Sequence, residues 1–430
     1  MQLLSRFKKS GVARDAMHLS IGQGLKLFVQ AGYFVLIARS LGPDAFGAFA
    51  AVVALAAVLG PFSGMGTPNL FIRDVRSGKR EAAICWGNGL LLTILSGTTL
   101  TIVVVALNYI FHLKTGIFVV VIVCLSDLIF MKVTELAAFG FAASDRMKDT
   151  SIQSVVISLL RLAAIVLLIV TLHKVSLSQW VWAYLFTGML ATIYAVYKGG
   201  KLWGRPRFQL ASLREDISEG IFFSISTSAT SIYNDVDKIM LGRLSDFVST
   251  GIYSAAYRII DVSMTPVRSL VSAAYPQFFK RGVGGMRATY PYAKSLIYKS
   301  SLYGAAISTS VWLFAPVLPS LLGRQYIAAV PALRWLALIP FLRCFHVFLA
   351  DSLSGAGFQR TRTAIQVIVG LVNVGLNLVI LPRYSWRGAA WTSLACDGML
   401  VVVFWLTAIY LFRRQPLSPV EPVSVVEWGS

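Results

Sequence analysis

Two stretches of this chain repeat each other and decide its architecture: residues 41–66 read LGPDAFGAFAAVVALAAVLGPFSGMG, and residues 244–269 read LSDFVSTGIYSAAYRIIDVSMTPVRS. Placing Gly47 on Gly251 aligns them at an offset of 204 residues. Each stretch opens with a turn and continues as an apolar segment long enough for a membrane helix. A periodic match of this kind predicts two copies of one helical unit. The alternative is that Gly-aromatic turns before apolar helices recur by chance.

The composition around the repeat is that of a membrane protein. Of 430 residues, 56% are hydrophobic and only 13% are charged, and the mean hydropathy is +0.70. These values exclude a soluble globular enzyme, since ordinary soluble domains carry about 25% charged residues. A helix needs about 20 apolar residues to cross the hydrocarbon layer. Runs of that length predict twelve spans, at residues 17–38, 47–70, 84–110, 117–140, 151–172, 179–198, 218–242, 250–275, 295–315, 332–353, 363–381 and 388–411.

The spacing of the repeat predicts how the copies are oriented. The matched stretches belong to the second and eighth spans, a shift of six spans, and because six is even both copies face the same way in the bilayer. Parallel copies imply a pseudo-two-fold axis along the membrane normal and a substrate site between the halves. The predicted fold is therefore an all-α polytopic protein of about 12 transmembrane helices, in two parallel six-helix bundles around a central cavity. The predicted divisions are residues 1–200, a linker at 201–216, residues 217–412 and a tail at 413–430.

The net charge of +20, from 39 Lys+Arg against 19 Asp+Glu, is mainly a topology signal. One alternating set of connecting segments holds 23 of these cations, and the opposite set holds 7. Lys and Arg accumulate in cytoplasmic loops. Both termini are therefore predicted to be cytoplasmic, and the excess of cations indicates anionic lipid headgroups and not nucleic acid.

Charged residues inside the spans are the first candidates for function, because each costs free energy unless it faces a cavity or a partner. Two cations have an acidic neighbour one helical step away: Lys132 with Glu135, and Arg258 with Asp261. The remaining interior charges are predominantly basic. Arginine matches phosphate oxygens bidentately, and lysine adds a point charge, so such a cavity favours a phosphate or diphosphate ligand. The candidate substrate residues are Lys26, Gln30, Arg161, Arg258, Arg268 and Arg343, and the candidates for ion coupling are Asp127, Glu135, Asp397 and His346.

Polar stripes support a water-filled cavity. In the first span Gln23, Lys26, Gln30 and Tyr33 share one helix face. The alternative is that such side chains only fasten helices to each other by hydrogen bonds. The same alternatives apply to Asn373 and Asn377, which are suited either to sugar hydroxyls or to helix contacts. Pro61 and Pro266, with Gly60, Gly64 and Gly66, are predicted to bend the repeated second and eighth spans.

The sequence carries no signature of catalysis. It has no phosphate loop ending in Lys-Ser/Thr, no His-Glu zinc pattern, no Ser or Cys nucleophile motif and no metal-ligand spacing among its four cysteines. We therefore predict a secondary transporter with no cofactor and no metal. Two alternatives stay open: a membrane polysaccharide polymerase or ligase, which the short predicted periplasmic loops disfavour, and a multidrug-type exporter of cations, which the charge sign disfavours.

Several turns are similar to those of a known family. The turn LGPDAFGAF, the segment VDKIMLGRL leading to GIYSAAYRI, and the basic turn DRMKD resemble the polysaccharide-unit flippases. These are the O-antigen, Wzx-type transporters of the multidrug/oligosaccharidyl-lipid/polysaccharide exporter superfamily. The resemblance covers most of the chain in span number and spacing, through family-typical turns and not through catalytic signatures.

The resemblance implies a multi-pass protein of the bacterial inner membrane. It implies that the chain moves an undecaprenyl-diphosphate-linked oligosaccharide from the cytoplasmic to the periplasmic leaflet by alternating access. The product would serve O-antigen, capsule or exopolysaccharide synthesis. Implied partners are this glycolipid, the bilayer, and the polysaccharide polymerase and chain-length proteins of the same pathway.

Overall fold

The computed structural model of the chain describes residues 11–110 and 115–414, and its regular structure there is helical with no β-strand. Apolar runs form helices because lipid offers no water to satisfy backbone N–H and C=O groups. The all-α class predicted from the sequence is confirmed. The first ten residues, Lys114 and the tail beyond residue 414 lie outside the described ranges, so the predicted sides of the two termini stay predictions.

The helices follow one another with short connections. In chain order they are α1 Gly11–Leu59, α2 Thr67–Arg76, α3 Ala82–Ile110, α4 Ile117–Cys124, α5 Met131–Ala143, α6 Met147–Leu172, α7 Leu177–Trp203, α8 Leu213–Leu244, α9 Phe247–Ser263, α10 Thr265–Gly282, α11 Gly285–Phe314, α12 Leu318–Leu322, α13 Ala329–Leu336, α14 Ile339–Gly355 and α15 Gln359–Arg414. A π-helix, Leu125–Phe130, joins α4 to α5, and 3₁₀ turns lie at Gly60–Phe62, Leu210–Ser212, Ala315–Val317 and Arg324–Tyr326.

Eight helical stretches in the described ranges are long and apolar enough to cross a membrane. Two of them, Lys26–Arg76 and Gln359–Arg414, contain 51 and 56 residues. At about 1.5 Å per residue each is more than twice as long as the bilayer core is thick. Each is also broken, at Gly42 (φ 74°) and at Ser385 (φ 54°), so each has the length for two crossings. The predicted seventh and eighth spans are not among the eight stretches, and the count of twelve stays a prediction.

Both repeated spans break at their proline, as the sequence predicts. In the first copy α1 ends at Leu59, and Gly64, Met65 and Gly66 all have positive φ before α2 begins. In the second copy α9 ends at Ser263, and α10 starts with Pro266 in its first turn. Proline lacks a backbone N–H and fixes φ, so it is tolerated at a helix start but not inside a straight helix.

Contacts divide the described chain into two compact units. The first unit contains the residues up to Ala255 with Val317–Val330 and Asn377–Ala389. Within it α1 packs against α6 and α8. The second unit contains Ala256–Pro316, Pro331–Leu376 and the residues from Ala390 onward, and here α14 packs against α10 and α11. The division predicted at residues 201–216 stays a prediction.

The glycines that define the repeat contact each other's helices inside the first unit. A Cβ added to Gly47 would lie 1.8 Å from the carbonyl oxygen of Phe247. A Cβ added to Gly251 would lie 2.0 Å from the carbonyl oxygen of Pro43. Pro43 and Phe247 are themselves 204 residues apart, the offset of the sequence repeat. Reciprocal contacts of this kind are what a two-fold relationship produces. They support the repeat that the sequence predicts.

Candidate functional site

A polar cavity of about 510 Å³ lies in the first unit, between α1, the π-helix with α5, α6 and α7. Its wall on α6 follows from helical spacing, since Thr150, Ser154, Ile157 and Arg161 recur every three or four residues and so share one face. The charged and aromatic polar residues that line the cavity are Lys26, Asp127, Lys132, Glu135, Arg161 and Tyr184.

Arg161 is the central cation of this cavity. Its guanidinium lies over the ring of Tyr184, 4.3 Å from the centroid, and its Nη2 is 3.9 Å from Oδ1 of Asp127. Its Nε and Nη2 are both buried and have no hydrogen-bond acceptor among the described residues. An unsatisfied buried donor costs about 1–3 kcal/mol, and more when it is charged. Arg161 therefore contributes a largely buried positive charge to the cavity wall.

Asp127 is positioned by the π-helix Leu125–Phe130, one of the rare helix types that occur frequently at functional sites. The hydroxyl of Tyr184 donates a 2.7 Å hydrogen bond to Oδ1 of Asp127. The carbonyl groups around the π-helix are satisfied by side chains: Thr192 Oγ1 donates to the Phe130 oxygen at 2.7 Å, and the Ser63 hydroxyl donates to the Leu128 oxygen. The sequence singled out Asp127 by depth alone, and neither the π-helix nor Tyr184 was predicted.

The remaining charges leave the cavity with a cationic balance. Nζ of Lys132 and Oε2 of Glu135 are 2.6 Å apart, which confirms the ion pair predicted from their spacing. Lys26 of α1 completes the set of three cations against the two carboxylates of Asp127 and Glu135. The cavity therefore has a formal balance of one positive charge.

The structure brings a second group of predicted residues together in the second unit. Asp397, 2% exposed, lies 3.5 Å from Nε of Arg343 through Oδ2 and 3.2 Å from Nε2 of His346 through Oδ1. The guanidinium of Arg343 also donates to the hydroxyl of Tyr257. The sequence placed Arg343 with the substrate residues and Asp397 and His346 with the coupling residues, whereas the structure joins all three in one buried cluster.

The other candidates lie apart from these two groups. Gln30 is half-buried on α1 but does not line the cavity, and the side chain of Gln23 lies outside the described set. Arg258 is half-buried on α9. Arg268, expected in the interior, has a side chain that is 57% exposed; it donates to the carbonyl oxygen of Asp261 and lies 3.9 Å from its carboxylate. Asp261 thus forms an ion pair with Arg268, and its pairing with Arg258 stays a prediction.

Asn377 acts as a helix fastener in the first unit. Its Nδ2 donates a 2.7 Å hydrogen bond to Oδ1 of Asp237, and the hydroxyl of Tyr253 donates to the other oxygen at 2.8 Å. All three side chains are almost completely buried. This favours the helix-contact alternative for Asn377 over contact with sugar hydroxyls.

Comparisons with known proteins agree with this architecture. The model of a family described as "Polysaccharide biosynthesis protein" matches residues 12–281. A protein of Escherichia coli strain K12, described as "Putative O-antigen transporter", is 24% identical over 409 residues, which cover 91% of this chain and 95% of that protein.

Solved structures of membrane transporters share the fold. The lipid II flippase MurJ, in an inward closed conformation, matches with a TM-score of 0.70 at 13% identity over 92% of this chain and 89% of its own. An outward-facing multidrug resistance transporter of the MATE family matches with a TM-score of 0.61 at 16% identity, covering 94% of this chain and 95% of its own. The multi-pass membrane fold and the family resemblance predicted from the sequence are thereby confirmed.

Proposed function

The chain belongs to the polysaccharide biosynthesis protein family, and from this premise we propose that it is a flippase for an undecaprenyl-diphosphate-linked oligosaccharide. It carries the glycolipid from the cytoplasmic to the periplasmic leaflet of the bacterial inner membrane, with both termini cytoplasmic. The similarity to a protein described as an O-antigen transporter supports a polysaccharide repeat unit as the class of cargo. The fold shared with MurJ and a MATE exporter supports a transporter over a polymerase or ligase.

The observation that carries the proposal is the cavity of about 510 Å³ lined by Arg161, Lys26 and Lys132. A phosphate group of a diphosphate offers pairs of oxygens that a planar guanidinium fork binds bidentately. The three cations and two carboxylates of the cavity favour such an anion over a lipophilic cation.

Transport in this proposal follows alternating access, in which the cavity is exposed first to one leaflet and then to the other. An inside-negative membrane potential assists the outward movement of a diphosphate, by about 2.3 kcal/mol per charge per 100 mV. The candidates for a coupling proton are the carboxylates of Asp127 and Glu135, which line the cavity, and the buried carboxylate of Asp397. His346 faces Asp397 and is a candidate in the same cluster.

A deletion strain tests the cellular function. Loss of the gene is expected to stop surface delivery of the polysaccharide and to leave the lipid-linked repeat unit on the cytoplasmic leaflet. The measurement is the accessibility of the glycan in spheroplasts and in inverted vesicles. Normal delivery in the deletion strain contradicts the proposal.

Arg161→Ala is expected to weaken binding of the glycolipid by about 10- to 100-fold, because a hydrogen bond to a charged group contributes about 1.5–3 kcal/mol. Arg161→Lys keeps the charge but not the fork and is expected to retain part of the affinity. The measurement is binding of undecaprenyl-diphosphate-oligosaccharide to purified protein in nanodiscs.

Arg207→Ala is the matched control, since it removes an exposed arginine that pairs with Glu81 at 3.0 Å and does not line the cavity. It is expected to bind the glycolipid normally. If Arg161→Ala binds as tightly as the unchanged protein, the anion site is not at Arg161. If the protein binds a lipophilic cation and no glycolipid, it is an exporter of the multidrug type.

A further inference from the structure

An ion-pair cluster outside the cavity joins two distant parts of the chain in the first unit. It consists of cations in α2 and the turn that follows it, and of carboxylates in α2 and in the first two turns of α8. The ion-pair cluster comprises Arg73, Lys79, Arg80, Asp74, Glu215, Asp216 and Glu219. The charge bias of the sequence predicts that this face is cytoplasmic.

Arg80 and Asp216 form the centre of the ion-pair cluster. Their side chains are 10% and 6% exposed and are in direct contact. Arg80 also reaches Glu215 at 2.6 Å and Asp74 at 3.7 Å. Asn88 donates to the second oxygen of Asp216 at 3.1 Å. Removing one partner of a buried, hydrogen-bonded ion pair is strongly destabilising, so these contacts hold α8 to the turn after α2.

The outer contacts of the ion-pair cluster are open to water. Lys79 lies 2.7 Å from Glu215, and Arg73 contacts Glu219. All four side chains are about 36–45% exposed. The hydrogen bond with Lys79 lowers the pKa of Glu215, and the bond with Glu215 raises the pKa of Lys79, so both groups are charged at neutral pH. An anion in solution or in the lipid headgroup layer can therefore reach and compete for these cations.

The backbone beside the ion-pair cluster contains a turn of residues with positive φ and a close contact. Gly64, Met65 and Gly66 all have positive φ, and they form the break between α1 and α2. A Cβ added to Gly220 of α8 would lie only 1.9 Å from the carbonyl oxygen of Met65. The start of α8 thus packs directly on the break, next to the helix α2 that carries Arg73.

We propose that the ion-pair cluster is a latch on the cytoplasmic face, and that a diphosphate group opens it by binding Arg73, Lys79 and Arg80 in place of the carboxylates of α8. The choice of a diphosphate as the ligand rests on the proposed function. A diphosphate carries more than one negative charge and fits the arginine forks, so it competes with singly charged carboxylates.

Binding of the cations to the diphosphate removes the attraction that holds the two segments together. Glu215 and Glu219 stand four residues apart on α8, where like charges destabilise each other. Asp216 adds a third negative charge. Once the diphosphate holds the cations, these carboxylates gain by moving into water and away from the bound anion.

The test measures the separation of Ser77 and Ser218, which are both exposed beside the ion-pair cluster and belong to none of its contacts between segments. Spin labels are attached to Ser77→Cys and Ser218→Cys in a chain carrying Cys85→Ser, since the other three native cysteines are buried. Pulsed electron resonance in nanodiscs is expected to show one short distance without ligand. Undecaprenyl diphosphate is expected to add a second, longer distance between the labels. Undecaprenol, which lacks the diphosphate, is expected to leave the distance unchanged.

Inorganic pyrophosphate separates the two sources of the same chemistry. If pyrophosphate opens the latch, the diphosphate headgroup alone is sufficient. If only undecaprenyl diphosphate opens it, the anion must be presented by the lipid. Both results support the proposal. An unchanged distance at saturating undecaprenyl diphosphate overturns it, as does equal opening by undecaprenol. If the distance does not change but Arg161→Ala still weakens glycolipid binding, the latch proposal is wrong while the proposed flippase function stands.

Two variants probe the latch directly. Arg80→Gln is expected to show the long distance without ligand. Glu215→Gln, which changes only a half-exposed carboxylate and so does not threaten folding, is expected to lower the opening concentration by about two- to five-fold. Arg76→Gln is the control, since Arg76 pairs at 2.7 Å with Asp145 and not with α8. If Glu215→Gln and Arg76→Gln open at the same concentration of undecaprenyl diphosphate, the proposal is overturned.

Discussion

Gly251→Ala is expected to destabilise the protein by about 3 kcal/mol or more. The added methyl group would lie 2.0 Å from the Pro43 carbonyl oxygen, inside van der Waals contact with a backbone atom. Extra methyl groups in well-packed sites cost about 1–3 kcal/mol, and more where the neighbour cannot move. The obstacle here is backbone on a packed helix, which no side-chain rotation relieves. The measurement is thermal unfolding of the purified protein in detergent, together with the yield of monodisperse protein.

The repeat provides a second variant and the helices provide a control. Gly47→Ala is expected to have an effect of similar size, because its methyl group would lie 1.8 Å from the Phe247 carbonyl oxygen. Gly398→Ala in α15 adds the same methyl group where no atom lies within 4 Å. It is expected to be neutral or to stabilise by up to about 1 kcal/mol, since alanine has the higher helix propensity. Unfolding of Gly251→Ala at the temperature of the unchanged protein would contradict the reciprocal contact.

Arg343→Met is expected to destabilise the protein by about 3–5 kcal/mol, because it removes the guanidinium from a buried carboxylate. Asp397 is 2% exposed and lies 3.5 Å from Nε of Arg343. Methionine keeps most of the volume of the side chain and adds no charge. The measurement is the free energy of unfolding in a denaturing detergent titration, which reports the cost without any transport assay.

Neutralising the carboxylate separates charge from packing. Asp397→Asn in the Arg343→Met chain is expected to restore a large part of the loss, because no buried charge then remains to be compensated. Arg268→Met is the control: its 57% exposed pair with Asp261, at 3.9 Å, is expected to contribute less than about 1 kcal/mol. If Arg343→Met and Arg268→Met cost the same, the charge of the buried cluster is not what stabilises it.

Local patterns predicted much of the fold because they depend on one helix at a time. Apolar runs marked the helices, Pro61 and Pro266 marked the breaks in both repeated spans, and the i, i+3 spacing of Lys132 and Glu135 predicted their ion pair. The seventh predicted span was different. It is not among the stretches that are long and apolar enough to cross a membrane, since it is rich in Ser and Thr, although it forms the continuous helix α8.

The candidate site was only partly predictable. Depth in a span selected Lys26, Asp127 and Arg161, which the structure brings to one cavity. The same reasoning selected Arg268, which pairs with Asp261 and does not line this cavity, and its role in binding substrate stays a prediction. Depth says how far a residue lies from the membrane surface, but it does not say which way its helix face is turned, and that orientation is decided by packing against neighbouring helices.

The sequence by itself determined the all-helical class, the repeat at an offset of 204 residues and the cationic balance of the interior. Only the tertiary structure decided the partners: Tyr184 with Asp127, Asp397 with both Arg343 and His346, and Asp216 with Arg80. Helical periodicity fixes which residues share a face within one helix. Which faces of different helices meet depends on packing between segments far apart in the chain, and no local spacing records it.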